Sequence, residues 1–116
     1  MATVIRRGDI VLVNLEPVLG SEQGNTRPAL VIQNNIGNER SKLTIIAPIT
    51  SRIYSKQFPT NVEIDETNSP LKKKSTILFN QIRTIDKIRI IKNYGKTSSN
   101  KMKESDEALM NSLGLK

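Results

Sequence analysis

The chain has 116 residues, of which 36% are hydrophobic, contains neither cysteine nor histidine, and carries a formal net charge of +7. This length suits one domain with one core, and we expect neither a membrane span nor a secretion signal, because no apolar run suits either. The absence of cysteine and histidine excludes disulfides, a thiol nucleophile, a Ser-His-Asp triad and the usual soft ligands of zinc, so we expect a cytoplasmic protein without a cofactor.

The first half of the chain predicts two buried strands joined by a long loop. Residues 10–15 and 28–34 are apolar runs rich in branched side chains, which is typical of strands buried on both faces. Pro28 lacks a backbone donor and is expected to begin the second strand, and it favours an extended backbone at Arg27. Arg27 therefore presents a charged, planar donor group at the end of a core strand. The connection, 16–26, is longer than an ordinary hairpin loop, which is typical of functional loops.

Beyond residue 34 the pattern predicts a turn, further strands and one late helix. Glu63 and Asp65 share one face of a half-exposed strand, so a metal site is conceivable, but exposed strand faces usually carry charges anyway. Five to seven strands and a C-terminal helix predict a mainly β (α+β) protein, a small, partly open antiparallel barrel. The predicted bounds are a turn at 35–38, strands at Leu43–Thr50, 60–65, 75–80, 81–85 and 87–92, and a helix that begins at Ser98 or Ser99 and ends at Gly114.

The positive charge is concentrated in one segment. Residues 70–103 hold ten Lys or Arg side chains against one acidic side chain, whereas 1–69 is neutral. Clustered positive charge attracts phosphate chains, and the alternatives are a solvated basic face or a binding surface for an acidic protein. Lys72, Lys73 and Lys74 can protect a strand edge or contact phosphate, and the sequence does not separate these roles. With only two tyrosines and two phenylalanines, extensive base stacking is not expected.

The residue types restrict the chemistry that the chain could perform. It has no Gly-Lys-Ser/Thr phosphate loop and no compact acidic cluster for magnesium, so a nuclease built from it would work without metal, using the 2′-hydroxyl of RNA as nucleophile. Arg27 suits stabilisation of charge on the phosphorane, and Thr50 could donate a hydrogen bond to the same phosphate. Glu22 is the nearest plausible carboxylate base in the sequence. The alternative for Arg27 is a structural salt bridge, for example with Glu22.

The most specific signal is a set of sequence blocks in a defined order: Arg7-Gly8-Asp9-Ile10-Val11, Pro17, Gly20-Ser21-Glu22-Gln23-Gly24, Arg27-Pro28-Ala29-Leu30-Val31-Ile32-Gln33, Ala47-Pro48-Ile49-Thr50 and Gln81-Ile82-Arg83-Thr84-Ile85-Asp86. In this order and spacing they resemble the MazF/PemK family, the toxins of bacterial type II toxin–antitoxin pairs, over about residues 6–113. The Gly-Ser-Glu-Gln-Gly and Gln-Ile-Arg-Thr-Ile-Asp-Lys blocks look closest to the Gram-positive branch of that family.

The resemblance implies an SH3-like barrel, a homodimer, and sequence-specific, metal-independent cleavage of single-stranded RNA (mRNA) to 2′,3′-cyclic phosphate and 5′-hydroxyl ends. It implies a cognate antitoxin whose acidic, apolar C-terminal segment blocks the RNA groove, with 16–26 as a gate over that groove. Carried over by motif, Arg27 and Thr50 would be catalytic, with Glu22 in a supporting role. The residues that would contact RNA are Ser21, Gln23, Ser51, Gln81 and Arg83.

Two other functions fit the same fold. One is a non-enzymatic toxin, similar to the gyrase poisons, and the other is a plain nucleic-acid-binding barrel without catalysis. Neither needs a guanidinium and a hydroxyl at two strand ends, so the Arg-Pro and Pro-x-Thr blocks favour the enzyme. Some members of the resembled family carry a histidine in the gate loop as a suggested proton carrier, and this chain contains no histidine. The RNA sequence that is cut and the identity of the antitoxin cannot be predicted from residue order.

Overall fold

The computed structural model describes residues 4–17, 19–22 and 25–116, and these form one antiparallel sheet with two helices. The elements are β1 (Asp9–Asn14), β2 (Thr26–Val31), α1 (Asn35–Arg40), β3 (Leu43–Thr50), β4 (Asn61–Ile64), β5 (Ser75–Leu78), β6 (Arg83–Asp86), β7 (Ile90–Lys96) and α2 (Ser99–Leu113), with single 3-10 turns at Phe79–Gln81 and Lys87–Arg89. The strand order is β4-β5-β3-β2-β1-β7, with β6 paired to β3. The predicted mainly β (α+β), partly open antiparallel architecture with a C-terminal helix is confirmed.

The central strands are buried on both faces. Side chains alternate along a strand, so neighbouring residues of β2 enter different apolar clusters. Leu30 packs in the cluster that contains Phe79 and Ala108 of α2, whereas Ala29 and Val31 pack in the cluster on the other face. All of these side chains are at most 3% exposed. The two-faced burial makes β2 a rigid support for the residues at its ends.

Pro28 determines where β2 and β3 separate. β2 begins at Thr26, so the prediction that Pro28 begins this strand is wrong by two residues. The pairing of β2 with β3 nevertheless begins only at Ala29, which lies opposite Pro48. Successive amides of a strand point alternately to its two neighbours, and the Ile32 amide donates to the carbonyl of Ile45 on β3. The backbone nitrogen of Pro28 therefore also faces β3. Proline has no hydrogen for that ladder, and no register pair joins the two strands beyond it.

The chain from β5 to β6 runs antiparallel to β3 and is interrupted opposite Pro48. β5 pairs with the end of β3, β6 pairs with its first half, and the turn Phe79–Gln81 stands between them. By the same alternation, the nitrogen of Pro48 faces this interruption, where no donor is needed. The predicted strand at 75–80 consequently ends at Leu78.

The two helices differ in how well they were predicted. The turn predicted at 35–38 is instead the start of α1, because the Asn34 side chain accepts a hydrogen bond from the Gly37 amide at 2.8 Å and caps a helix. The predicted C-terminal helix is confirmed, with Ser98 as its N-terminal cap and Gly114 ending it in the left-handed conformation at φ 71°. No helix in the described part of the chain is long and apolar enough to cross a membrane.

Candidate active site

A cleft of about 430 Å³ opens where β2 and β3 separate. Arg27 and Pro28 contribute to it from β2, and Thr50 lies at the end of β3 on the same cleft. Arg27 and Thr50, which the sequence assigned to one phosphate, therefore line one cavity. Pro28 explains why the cleft opens here. It has no amide hydrogen, so the hydrogen-bond ladder between β2 and β3 ends beside it and leaves space between the strands for the Arg27 and Thr50 side chains. The full lining is Arg27, Pro28, Ile49, Thr50, Ser51, Leu71, Lys72, Lys73 and Ser75.

The sheet fixes the backbone of Arg27 and Thr50, two of the three predicted catalytic residues. Arg27 is half-buried and lies opposite Val13 of β1, and Thr50 lies opposite Thr76 of β5. The Thr50 Oγ1 accepts a hydrogen bond from the Arg52 amide at 3.2 Å. A hydroxyl can donate as well as accept, and within the described segments no acceptor is recorded for the Thr50 hydroxyl hydrogen. That hydrogen can therefore be donated to a ligand in the cleft.

Two lysines that the sequence analysis did not assign to the site line the same cleft. Lys72 and Lys73 lie beside Arg27, and both are exposed. Their neighbour Lys74 lines a separate hollow, and its Nζ lies 3.4 Å from Glu63 Oε1. The concentration of charge in 70–103 indicated that lysines of this segment matter, but only the fold distinguishes the three from one another.

Glu22 is not among the residues that line the Arg27 cleft. It lines a second hollow, of about 230 Å³, together with Gln81 and Arg83. Its carboxylate accepts a hydrogen bond from the Leu19 amide at 2.6 Å, within its own loop. Arg83 donates to the carbonyl of Leu15 at 3.2 Å, so this predicted RNA contact also supports the fold. The structure thus brings Glu22 together with two predicted RNA-contacting residues, but it does not bring Glu22 into the cavity of Arg27.

The remaining predicted RNA contacts are serines and one glutamine. Ser51 is exposed and lines the Arg27 cleft beside Thr50. Ser21 is exposed in the loop that precedes β2. Gln23 lies outside the described residues. The predicted set therefore divides between the cleft, the second hollow and the loop.

Hydrogen bonds close the base of the 16–26 loop next to Arg27. The Leu15 amide donates to the Asn25 carbonyl at 3.1 Å, and the Asn25 amide donates to Glu16 Oε1 at 2.5 Å. Arg89 donates to the carbonyls of Asn14, at 3.1 Å, and of Glu16. These contacts fix where the loop leaves and re-enters the sheet, and so they fix the position of the strand end that carries Arg27.

Glu63 of β4 and Asp65, which follows that strand, each have a partner of their own. The Thr67 hydroxyl and amide both donate to Asp65, at 2.5 and 2.8 Å, and the hydrogen bond from the hydroxyl is the main cause that lowers the pKa of Asp65 from its ordinary value. Glu63 forms the ion pair with Lys74. Across residues 4–17, 19–22 and 25–116, no group of three or more acidic side chains is placed to hold a metal ion.

A sequence-family model described as the PemK-like, MazF-like toxin of type II toxin–antitoxin systems matches residues 6–113. The chain belongs to this family. The toxin is similar to the crystal structure of MazF from Deinococcus radiodurans, at 27% identity over 97% of this chain and 98% of that chain, with a TM-score of 0.82. A MazE–MazF complex from the same organism matches at 27% identity over 98% and 99% of the chains, with a TM-score of 0.75. A mycobacterial endoribonuclease, at 20% identity over 97% and 94% with a TM-score of 0.79, shares the fold.

Proposed function

We propose that this toxin is a sequence-specific, metal-independent endoribonuclease that cleaves single-stranded RNA, including mRNA, and leaves 2′,3′-cyclic phosphate and 5′-hydroxyl ends. The observation that supports the proposal most strongly is that Arg27 and Thr50 line one cleft. Similar structures that are named MazF and endoribonuclease support the same class of activity.

The proposed reaction is an internal transfer of the phosphoryl group. The 2′ oxygen of the substrate forms a bond to phosphorus and loses its proton, while the bond from phosphorus to the 5′ oxygen breaks and that oxygen gains a proton. Arg27 hydrogen-bonds two phosphate oxygens through its planar guanidinium and stabilises the charge that develops on the phosphorane. Thr50 donates its hydroxyl hydrogen to the same group. DNA has no 2′-hydroxyl and therefore cannot react by this route.

Glu22 fits a supporting role better than that of the base. A guanidinium is a poor base, which made Glu22 the candidate from sequence. Glu22 nevertheless lines the second hollow and binds the Leu19 amide. We therefore propose that Glu22 orders its loop and the RNA beside the cut. The proposed RNA contacts are Ser21, Gln23, Ser51, Gln81 and Arg83.

The proposal includes a cytoplasmic homodimer and a cognate antitoxin. A structurally similar MazF forms a complex with MazE, and the positive charge of 70–103 suits an acidic, apolar antitoxin segment as well as RNA. We expect sedimentation equilibrium of the purified toxin to give twice the monomer mass at micromolar concentration. A monomer mass throughout that range would contradict the homodimer without affecting the proposed reaction.

Cleavage of a long RNA in the presence of EDTA tests the activity. We expect cuts at one short sequence motif, 5′-hydroxyl ends that a kinase labels without prior phosphatase treatment, and no cleavage of DNA of the same sequence. An Arg27→Ala preparation purified in parallel controls for contaminating ribonucleases. Complete inhibition by EDTA that magnesium reverses would indicate a metal nuclease, and intact RNA under all conditions would favour one of the non-enzymatic functions.

A further inference from the structure

Lys72 and Lys73 lie in the Arg27 cleft and have no part in the reaction described above. Their backbone is held on both sides. Leu71 packs against the apolar cluster that contains Phe79, and Ser75 is buried at the start of β5, where its Oγ donates to the Lys73 carbonyl at 2.9 Å. The two lysines thus occupy a short span whose neighbours are fixed, at a defined place beside the cleft.

Protection of the edge of β5 does not explain these lysines. β5 is paired on both sides, with β4 and with β3, so it presents no open edge. Lys74 has an acidic partner in Glu63. Within the described residues, neither Lys72 nor Lys73 forms an ion pair. Lys72 and Lys73 therefore add charge without an acidic partner to the lining of the cleft, whereas the charge of Lys74 is paired with Glu63.

The charges in the cleft exceed those of one phosphodiester. Lys72 and Lys73 add two positive charges to the cavity that Arg27 lines, and a phosphodiester carries one negative charge. The next phosphate of the same strand supplies further negative charge at the spacing of one nucleotide. Lysine binds phosphate as a point charge, without a directional requirement, which suits a contact that positions the backbone but does not read its sequence.

We infer that Lys72 and Lys73 are positioning residues that bind the backbone phosphate adjacent to the scissile one; this inference rests on the proposed ribonuclease activity. An acidic peptide could also match two lysines, but RNA is favoured because the lysines share their cavity with the guanidinium and the hydroxyl assigned to a phosphate. The lysines hold the strand in register, and Arg27 and Thr50 then act on the phosphodiester that this register delivers.

The first test compares two double variants that remove equal charge. Lys72→Ala/Lys73→Ala removes the pair in the cleft, and Lys56→Ala/Lys74→Ala removes two exposed lysines of the separate hollow. The probe is a single-stranded RNA that contains the mapped cut site, with a 2′-deoxy nucleotide that prevents cleavage. We expect the cleft variant to bind about 10- to 100-fold more weakly and its salt slope to fall by about 0.7, since both lysines are assigned to one phosphate and each single-strand phosphate contact contributes about 0.7. The control variant should change the slope by less than half as much.

The second test identifies the phosphate. A methylphosphonate that neutralises the linkage next to the cut should weaken binding to the wild type, and it should cause no further loss in Lys72→Ala/Lys73→Ala. The single-turnover rate at saturating RNA should stay within about threefold of the wild-type rate, because the lysines position and do not react. If the Lys72→Ala/Lys73→Ala variant has a lower Tm than the wild type, the Lys72→Gln/Lys73→Gln variant is measured in its place.

Three results would overturn the inference. These are equal behaviour of the two double variants, an unchanged methylphosphonate effect in the cleft variant, and weaker binding of a polyglutamate peptide without weaker binding of RNA, which would assign the lysines to a protein partner. Failure of the wild type to cut RNA is a separate result, because it contradicts the proposed function before any lysine variant is measured.

Discussion

The two ends of β2 each have an arginine nearby, and the surroundings of the two arginines differ. Beyond the end of β2, Arg7 Nε donates to the Ile32 carbonyl at 3.0 Å, and Arg7 Nη2 donates to Asp106 Oδ1 at 2.6 Å. These bonds join the strand to α2. At the start of β2, Arg27 lines an open cleft with a threonine hydroxyl and two lysines. One end of β2 is therefore joined to α2 through Arg7, and the other end carries Arg27 on the wall of a cleft.

This difference shows that a sequence block can be diagnostic of a family and still be structural. Gly8, next to Arg7, has φ 98°, which favours glycine, and its amide donates to the Val31 carbonyl. Asp9 accepts from the side chain of Asn93 at 3.0 Å. The Arg-Gly-Asp block thus builds the closed end of the sheet, whereas the Arg-Pro block builds the open end, and residue type alone does not distinguish them.

Arg27→Ala should have the largest effect on activity. Loss of the bidentate guanidinium should lower the single-turnover cleavage rate by about 10³-fold or more, as expected for an arginine that stabilises phosphoryl-transfer charge. Arg27→Lys keeps the charge but not the fork and should recover only part of that loss. Circular dichroism of each variant serves as the control that the protein is folded. A folded Arg27→Ala protein that cuts at the wild-type rate would remove Arg27 from the mechanism.

Thr50→Val should have the next largest effect, and the same change at Thr44 provides its matched control on β3. Thr50→Val keeps the shape and removes the hydroxyl, which should cost about 2–4 kcal/mol of transition-state stabilisation. Thr44 is buried and donates to Asn38 Oδ1 at 2.7 Å, so Thr44→Val should instead lower the free energy of unfolding by about 1–2 kcal/mol at an unchanged cleavage rate. Thr50→Ser should restore activity. An unchanged single-turnover rate in Thr50→Val would assign Thr50 to packing.

The parts of the fold that depend on local signals could be predicted from sequence. β3 has the predicted bounds, and α2 begins and ends at its local caps. The short helix α1 was interpreted as a turn because Asn34, Gly37 and their neighbours suit either structure. The interruption at Phe79–Gln81 could not be predicted, because it depends on Pro48 of a different strand.

The candidate site was predictable to the extent that it lies at strand ends. Arg27 and Thr50 were assigned from residue type and motif, and the cleft that they share follows from the proline beside Arg27. Lys72 and Lys73 could not be separated from Lys74, because the distinction depends on the β5 pairing and the packing of Leu71. Glu22 lines the second hollow, which depends on the fold of its loop and not on residue order, so its role in the reaction stays a prediction.

Arg7→Ala should have the smallest effect on activity and tests the closed end of β2. Its bond to Asp106 is partly exposed, with side-chain exposures of 31% and 47%, so the ion pair contributes little, and the bond to the Ile32 carbonyl contributes more. We expect a loss of about 1–2 kcal/mol in the free energy of unfolding, a fall in Tm of about 4–10 °C, and an unchanged cleavage rate for folded protein at low temperature. Arg7→Lys should lose nearly as much, because an ammonium cannot reach both partners with a planar fork. If Arg7→Ala abolishes cleavage while Tm stays constant, the two ends of β2 are not divided into a structural and a catalytic end.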